Sequence, residues 1–449
     1  MGAQTAIVGC HIATCDQRGS EHSGGHLVFE AGRILAVGDG PLPAAFAGAT
    51  RVDGSSCLLT PGLINTHHHL YQWITRGLAQ DATLFGWLTT LYPIWARLDA
   101  ERVHAAAAAN LGWMALTGTT TVSDHHYVFP VDGGDVLAAE IEAARRIGIR
   151  FHAARGSMDL GQSQGGLPPD SVVEDRDRIL AATATAIDRY HDPSEESLLR
   201  IVVAPCSPFS VTEGLMREAA QLARARGVRL HTHLAETTDE DDFCAERFNC
   251  TPAQYAEQLG WLGDDVWMAH CIHLSDAAVA QFAATGTGVA HCPTSNGRIG
   301  AGAAPVRALL AAGVPVGLGV DGAASNESGR MVDELHQAVL VARTREGPTG
   351  LGIRKALELA TIGGARCLGR EAELGSLEPG KLADLALWRV DGLAGGGIAD
   401  PVATLVLGAP ALARLWVGGR ELVHDGRLRT ADEGELARAA GAAARAMRA

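Results

Sequence analysis

A chain of 449 residues with 47% hydrophobic content can bury a large core, and its length suits two or three domains or one barrel with additions. The formal net charge of −14, with no long basic run, argues against nucleic-acid partners and anionic membrane surfaces. The nine scattered cysteines are odd in number and form no Cys-x-x-Cys, which fits a reducing cytosol better than a disulfide framework or a zinc knuckle. No basic segment followed by an apolar one opens the sequence, and no apolar run is long enough to span a bilayer, so a cytoplasmic protein is expected.

Residues 1–60 read as short strands and turns. Ala6–Gly9 and His26–Glu30 are strand-like, and Ala31–Arg33 turns into Ile34–Val37. From residue 60 the pattern changes to alternating strands and helices. Eight short apolar runs suit buried parallel strands: Leu58–Thr66, Thr119–Asp124, Ile149–Ala154, Leu199–Cys206, Val228–Leu234, Val266–Cys271, Thr287–Cys292 and Pro315–Asp321. Between them Glu101–Leu116, Val136–Arg146, Val173–Tyr190, Glu213–Arg226, Asp276–Ala284 and Val306–Ala312 have helical spacing. Gly148, Gly227, Gly286 and Gly313 stand where helices should stop. The expected fold is an α/β, TIM-like (β/α)8 barrel over 61–365. A small β-sandwich domain is expected from both termini, 1–60 and 366–449, the latter ending in a helix over Glu433–Arg448. Two insertions, 71–100 with six aromatic residues and the Gly/Ser/Gln/Pro-rich 156–171, fall after strands, where barrel loops shape active sites.

Thr60-Pro61-Gly62-Leu63-Ile64-Asn65-Thr66-His67-His68-His69 leads an apolar run into three histidines. On a strand, side-chain alternation puts His67 and His69 on one side and His68 on the other. Two imidazoles on one face can reach one ion, although a solvated histidine loop gives the same letters. The later strand ends favour the ion. The fifth run carries His231 and His233, with Glu236 two residues past its end, the sixth carries His270 and the eighth Asp321. Three histidines and a carboxylate suit a mononuclear zinc or ferrous site with an open water position.

Pro-Gly-Leu-Ile-Asn-Thr-His-x-His, His-x-His-x-x-Glu, Ala-His-Cys, Gly-Val-Asp-Gly and the closing Leu-Glu-Pro-Gly-Lys-Leu-Ala-Asp-Leu resemble the amidohydrolase superfamily over essentially the whole chain. The branch that deaminates guanine-like and triazine rings is the most similar. Asn65–Gln72, Ser123–Pro130, Phe151–Ser157 and Val289–Gly302 look most like its 8-oxoguanine deaminases. The resemblance implies His67, His69, His233 and Asp321 as ligands of one divalent metal ion, zinc or else ferrous iron. It also implies Glu236 as proton shuttle, His270 as stabiliser of the reacting oxygen and Asp321 as base. The fourth run, Ile201–Cys206, lacks the Lys or Glu that bridges two metals in other members, which favours one ion. The zinc cysteines of the cytidine and tRNA deaminases are also absent.

Substrate contacts are expected from Gln72, Arg155, Cys206, Trp113, His125 and His273, while Ser325 and Asn326 are expected to fix the loop that aims Asp321. His68, His126 and His231 should face away from the metal. The implied reaction is hydrolytic deamination of 8-oxoguanine to uric acid and ammonia. Isocytosine, guanine, a pterin or an s-triazine are alternative substrates, and a non-catalytic metal-binding scaffold is the rival of another class. Relatives in this superfamily are often dimers or larger, which implies a homo-oligomer.

Overall fold

The computed structural model describes residues 4–448. Eight parallel strands close a barrel: β1 (Leu63–His69), β2 (Thr119–His126), β3 (Arg150–Ser157), β4 (Leu199–Pro205), β5 (Leu230–Leu234), β6 (Val266–His270), β7 (Gly288–His291) and a divided β8. The first half of β8, Val316–Leu318, pairs with β7, and its second half, Asp321–Gly322, pairs with β1 through Asp321–His68. That division closes the ring and brings the eighth strand's carboxylate beside the first strand's histidines.

Both ends of the chain build a second, mixed sheet of nine strands. Leu385–Arg389 pairs antiparallel with Cys57–Pro61, which runs parallel to Thr5–Ala13. The hairpin of Leu412–Val417 and Arg420–His424 continues the sheet. Ile7, Leu27, Phe29, Leu59, Leu385, Leu387 and Trp416 share its core. The apolar run expected as one strand over Leu58–Thr66 is therefore two. Its first part belongs to the small sheet and its second to the barrel, with Gly62 between them. A Cβ on Gly62 would lie 2.1 Å from Thr120 Cγ2, so only glycine lets the chain pass this close to β2. The closing sequence motif has a structural task here. Asp384 takes a buried two-pronged pair from Arg150 of β3, at 2.9 and 3.0 Å, and accepts from the Gly418 amide at 2.7 Å.

Helices stop where glycine was expected to stop them. Gly148, Gly227, Gly286 and Gly313 sit past their helix ends in the left-handed region, at φ 65–86°. The terminal helix Glu433–Arg448 buries Leu436, Ala440, Ala443 and Met447, a stripe at helical spacing, and packs on Ala100–Leu116. Among the helices not anticipated are Thr238–Phe248 and Pro252–Gln258 after β5, and Pro293–Arg298 after β7. The first is rich in acidic residues on an unremarkable apolar face, and the other two have only 7 and 6 residues. No helix among the described residues is long and apolar enough to cross a membrane.

Candidate metal centre and active site

The strand ends deliver their polar residues to one place. His67 Nε2 and His69 Nε2 each lie 3.2 Å from Asp321 Oδ1, and His69 Nε2 lies 3.2 Å from His233 Nε2. The four side chains are buried. Ala235, His270, Cys271 and Asp321 all hold non-glycine backbone at φ 50–71°, so left-handed turns re-aim the chain as it leaves β5, β6 and β8.

The outward hydrogen bonds of these histidines decide which nitrogen faces the centre. His69 Nδ1–H donates to the His125 carbonyl at 2.6 Å, and His233 Nδ1–H donates to the Cys206 carbonyl at 2.6 Å. Carbonyls only accept, so Nε2 of each ring is left with its lone pair. His67 Nδ1 meets His231 Nε2 at 2.8 Å, and His67 Nε2 has no hydrogen-bond partner. Burial pushes His67 and His233 well below the usual imidazole range, so both remain neutral. Lone pairs and a carboxylate oxygen thus converge with no proton among them. Tetrahedral zinc, with ligands at about 2.0–2.1 Å, spaces its ligand atoms about 3.3 Å apart, so the donor set fits one such ion. Asp321 is aimed from behind: Ser295 and Ser325 donate to its Oδ2 at 2.6 and 3.1 Å. Asn326 Nδ2 ties the same loop to the Val320 carbonyl and to Glu334. Ser325 and Asn326 thus hold the loop as the sequence predicts, whereas Ser295 was not foreseen.

Glu236 and His270 complete the cluster, 3.5 Å apart. His270 Nδ1 lies 2.9 Å from Asn296 Oδ1, which accepts its proton and leaves Nε2 for the cavity side. Burial, opposed by His270 and reinforced by Asp321, pushes the Glu236 carboxyl up to about 7. Burial works against charge on His270, but the Glu236 and Asp321 carboxylates and Asn296 outweigh it and raise its pKa. Glu240 accepts from the backbone N–H groups of Ala235 and Glu236, at 2.9 and 3.1 Å, and so fixes the turn that presents Glu236.

A cavity opens on this cluster. Leu84, Trp87, Leu88 and Tyr92 from helix Leu84–Trp95, with Tyr127, Phe209 and Ile299, form apolar walls around His69, His233, Glu236, His270 and Asp321. Trp87 Nε1 donates to the Ala324 carbonyl at 3.2 Å, which ties the insertion to the loop behind Asp321. Six aromatic positions in 71–100 marked a pocket-shaping segment, but not which of them face inward.

Of the expected substrate contacts, Cys206 lines the cavity and the other five lie elsewhere. Arg155 is consumed by Glu174, 2.9 Å to each oxygen, and stacks over Phe129. Trp113 points outward, with its Nε1 on the Ser328 carbonyl. His125 lies one layer deeper, with Nε2 on the Ala204 carbonyl and its ring stacked on His233. Gln72 is buried against the Gly322–Ala324 turn, and His273 bonds the Ala301 carbonyl. His68 and His126 face away, toward Asn110 and Glu140 respectively.

The chain is similar to known proteins in sequence and fold. Residues 58–422 match the model of the Amidohydrolase family. An 8-oxoguanine deaminase of Pseudomonas aeruginosa is 44% identical over 94% of both chains. An isoxanthopterin deaminase from an unknown prokaryotic organism is 38% identical over 87% of this chain and 85% of its own. The crystal structure of atrazine chlorohydrolase TrzN from Arthrobacter aurescens TC1, complexed with zinc, superposes with a TM-score of 0.93 at 34% identity, covering 98% of this chain and all of its own. Sequence motifs, barrel and strand-end cluster agree with these matches, and the chain belongs to the amidohydrolase family.

Proposed function

We propose that this protein is a metal-dependent aminohydrolase that converts 8-oxoguanine to uric acid and ammonia, using one divalent ion, zinc, held by His67, His69, His233 and Asp321. One observation carries the reading. Glu236, a carboxyl held near neutrality, and His270 face an aromatic-walled cavity immediately beside a four-donor cluster that fits a cation. A bound divalent cation would supply a water of pKa near neutrality and a positive field for developing oxyanions.

The chain's own groups then move the protons. Asp321 accepts a proton from the attacking water as the new C–O bond forms at C2. Glu236, protonated near pH 7, delivers its proton to N3, so no negative charge accumulates on the ring. His270, held through Nδ1 by Asn296, keeps Nε2 toward the developing oxygen and stabilises it. Asp321 passes its proton to the amine, and the C–N bond breaks to release ammonia. The hydroxyl proton returns to Glu236 as the C=O bond closes. The apolar walls exclude bulk water and bury the faces of a flat bicyclic ring.

The 44% identical deaminase supports the purine; the pterin and triazine relatives define the competitors. The test is ammonia release from 8-oxoguanine, guanine, isocytosine, isoxanthopterin and an aminotriazine, with uric acid followed by its absorbance. The highest kcat/KM on 8-oxoguanine is expected. A higher value on any other ring refutes the substrate, and no ammonia from any ring refutes the activity.

A further inference from the structure

We infer that His231 is a positioning residue for the metal centre, holding His67 in the one tautomer that can present Nε2 to a cation. The inference rests on the metal-dependent reading above and extends it to a residue that touches neither metal nor substrate.

The argument is a chain of donors and acceptors. The Trp267 carbonyl can only accept, and His231 Nδ1 lies 2.9 Å from it, so the His231 proton resides on Nδ1. Neutral His231 therefore has a lone pair on Nε2, which faces His67 Nδ1 at 2.8 Å. His67 must donate there, and its own Nε2 is left without a proton, 3.2 Å from Asp321 Oδ1. The acceptor is itself held. The Trp267 ring stacks on His231, with centroids 4.6 Å apart and planes 23° apart, and its Nε1 donates to the Thr66 carbonyl at 2.9 Å. Thr66 immediately precedes His67, so β1, β5 and β6 are joined in a closed circuit beneath the ligands.

The other two histidines do not share this dependence. His69 and His233 rest on backbone carbonyls, which no substitution removes. His67 is the ligand whose proton position depends on a side chain, and outer partners of this kind typically contribute about 10–100-fold in metal affinity. His231 lies two residues before His233 on β5, so alternation places both toward the barrel interior, with His231 one layer deeper.

Glutamine is the informative replacement. Its amide O–C–N repeats the Nε2–Cε1–Nδ1 arrangement of imidazole, so it can accept from His67 and donate to Trp267 at once. Leucine can do neither, and asparagine is a methylene too short for both. Metal-stripped wild type, His231→Gln, His231→Leu and His231→Asn are compared for zinc affinity by competition with a chromophoric chelator, with apo-protein circular dichroism as the folding control. The expected result is wild-type affinity within about threefold for the Gln variant and a loss of about 10–100-fold for the Leu and Asn variants. Should the Leu variant not fold, the Gln–Asn pair carries the same comparison. Equal affinity in wild type and the Leu or Asn variants overturns the inference, as does a Gln variant no better than Asn. A wild type that takes up no zinc or ferrous iron overturns the metal reading itself, a result distinct from either.

Discussion

Replacing Glu236 by Gln removes one proton and almost nothing else. The carboxyl lines the cavity, and its nearest charged neighbour is His270 at 3.5 Å. The four converging donor atoms of the metal cluster do not include it, and His270 keeps its bond to Asn296. The variant is therefore expected to fold and to bind metal like the wild type. A positioned proton donor contributes about 10²–10⁴ in rate, so kcat/KM on 8-oxoguanine should fall by that factor, about 2.7–5.4 kcal/mol of transition-state stabilisation. The pH profile gives an independent reading. Glu236 must be protonated to act, and burial places its pKa at about 7, so the wild-type rate should hold below pH 7 and fall as pH rises through it. The residual rate of the Gln variant should lack that limb. Steady-state kinetics from pH 5 to 9, with metal content measured on the same samples, check both points. A variant within tenfold of wild type, or one that retains the alkaline limb near pH 7, would refute the proton route.

Two further outcomes follow from the packing. Burial pushes Glu140 from 4.5 up to about 8, so the folded protein holds that proton more tightly than the unfolded chain, and its contribution to stability is complete below pH 4.5 and is lost as pH rises toward 8. Each such group contributes a slope of up to about 1.4 kcal/mol per pH unit within the window. Glu140→Gln, which can still donate to His126 Nδ1, should flatten the fall of Tm between pH 5 and 8; an unchanged slope contradicts the assignment. Gly62→Ala places a methyl within 2.1 Å of the buried Thr120 side chain, where overpacking costs about 1–3 kcal/mol. A lowered urea midpoint is expected, and an unchanged one would mean that the sheet-to-barrel crossing is looser than described.

Much of this was legible in one dimension because it depends on local geometry. Alternation along a strand predicts that His67 and His69 share a side while His68 turns to Asn110. A glycine at a helix end predicts the left-handed stop seen at Gly148 and Gly227. Apolar runs and their order predict a closed ring whose ends bring His233, His270 and Asp321 to β1. The six-aromatic insertion announced a segment that shapes the site, and the small sheet expected from both termini is seen where Leu385–Arg389 pairs with Cys57–Pro61.

What tertiary structure alone decided was the use made of groups with more than one available partner. Arg155 ends a strand, as a substrate contact might, but Glu174 lies within two hydrogen bonds of it and neutralises it. Trp113 occupies a helix whose inner face is filled by alanines, so its ring turns outward. Periodicity gives the direction of a side chain from its own element and carries no information about what packs opposite. His231 shows the same limit in reverse. The sequence reading turns it away from the metal, and only the approach of Trp267 and His67 from two other strands makes it the group that sets a ligand's proton.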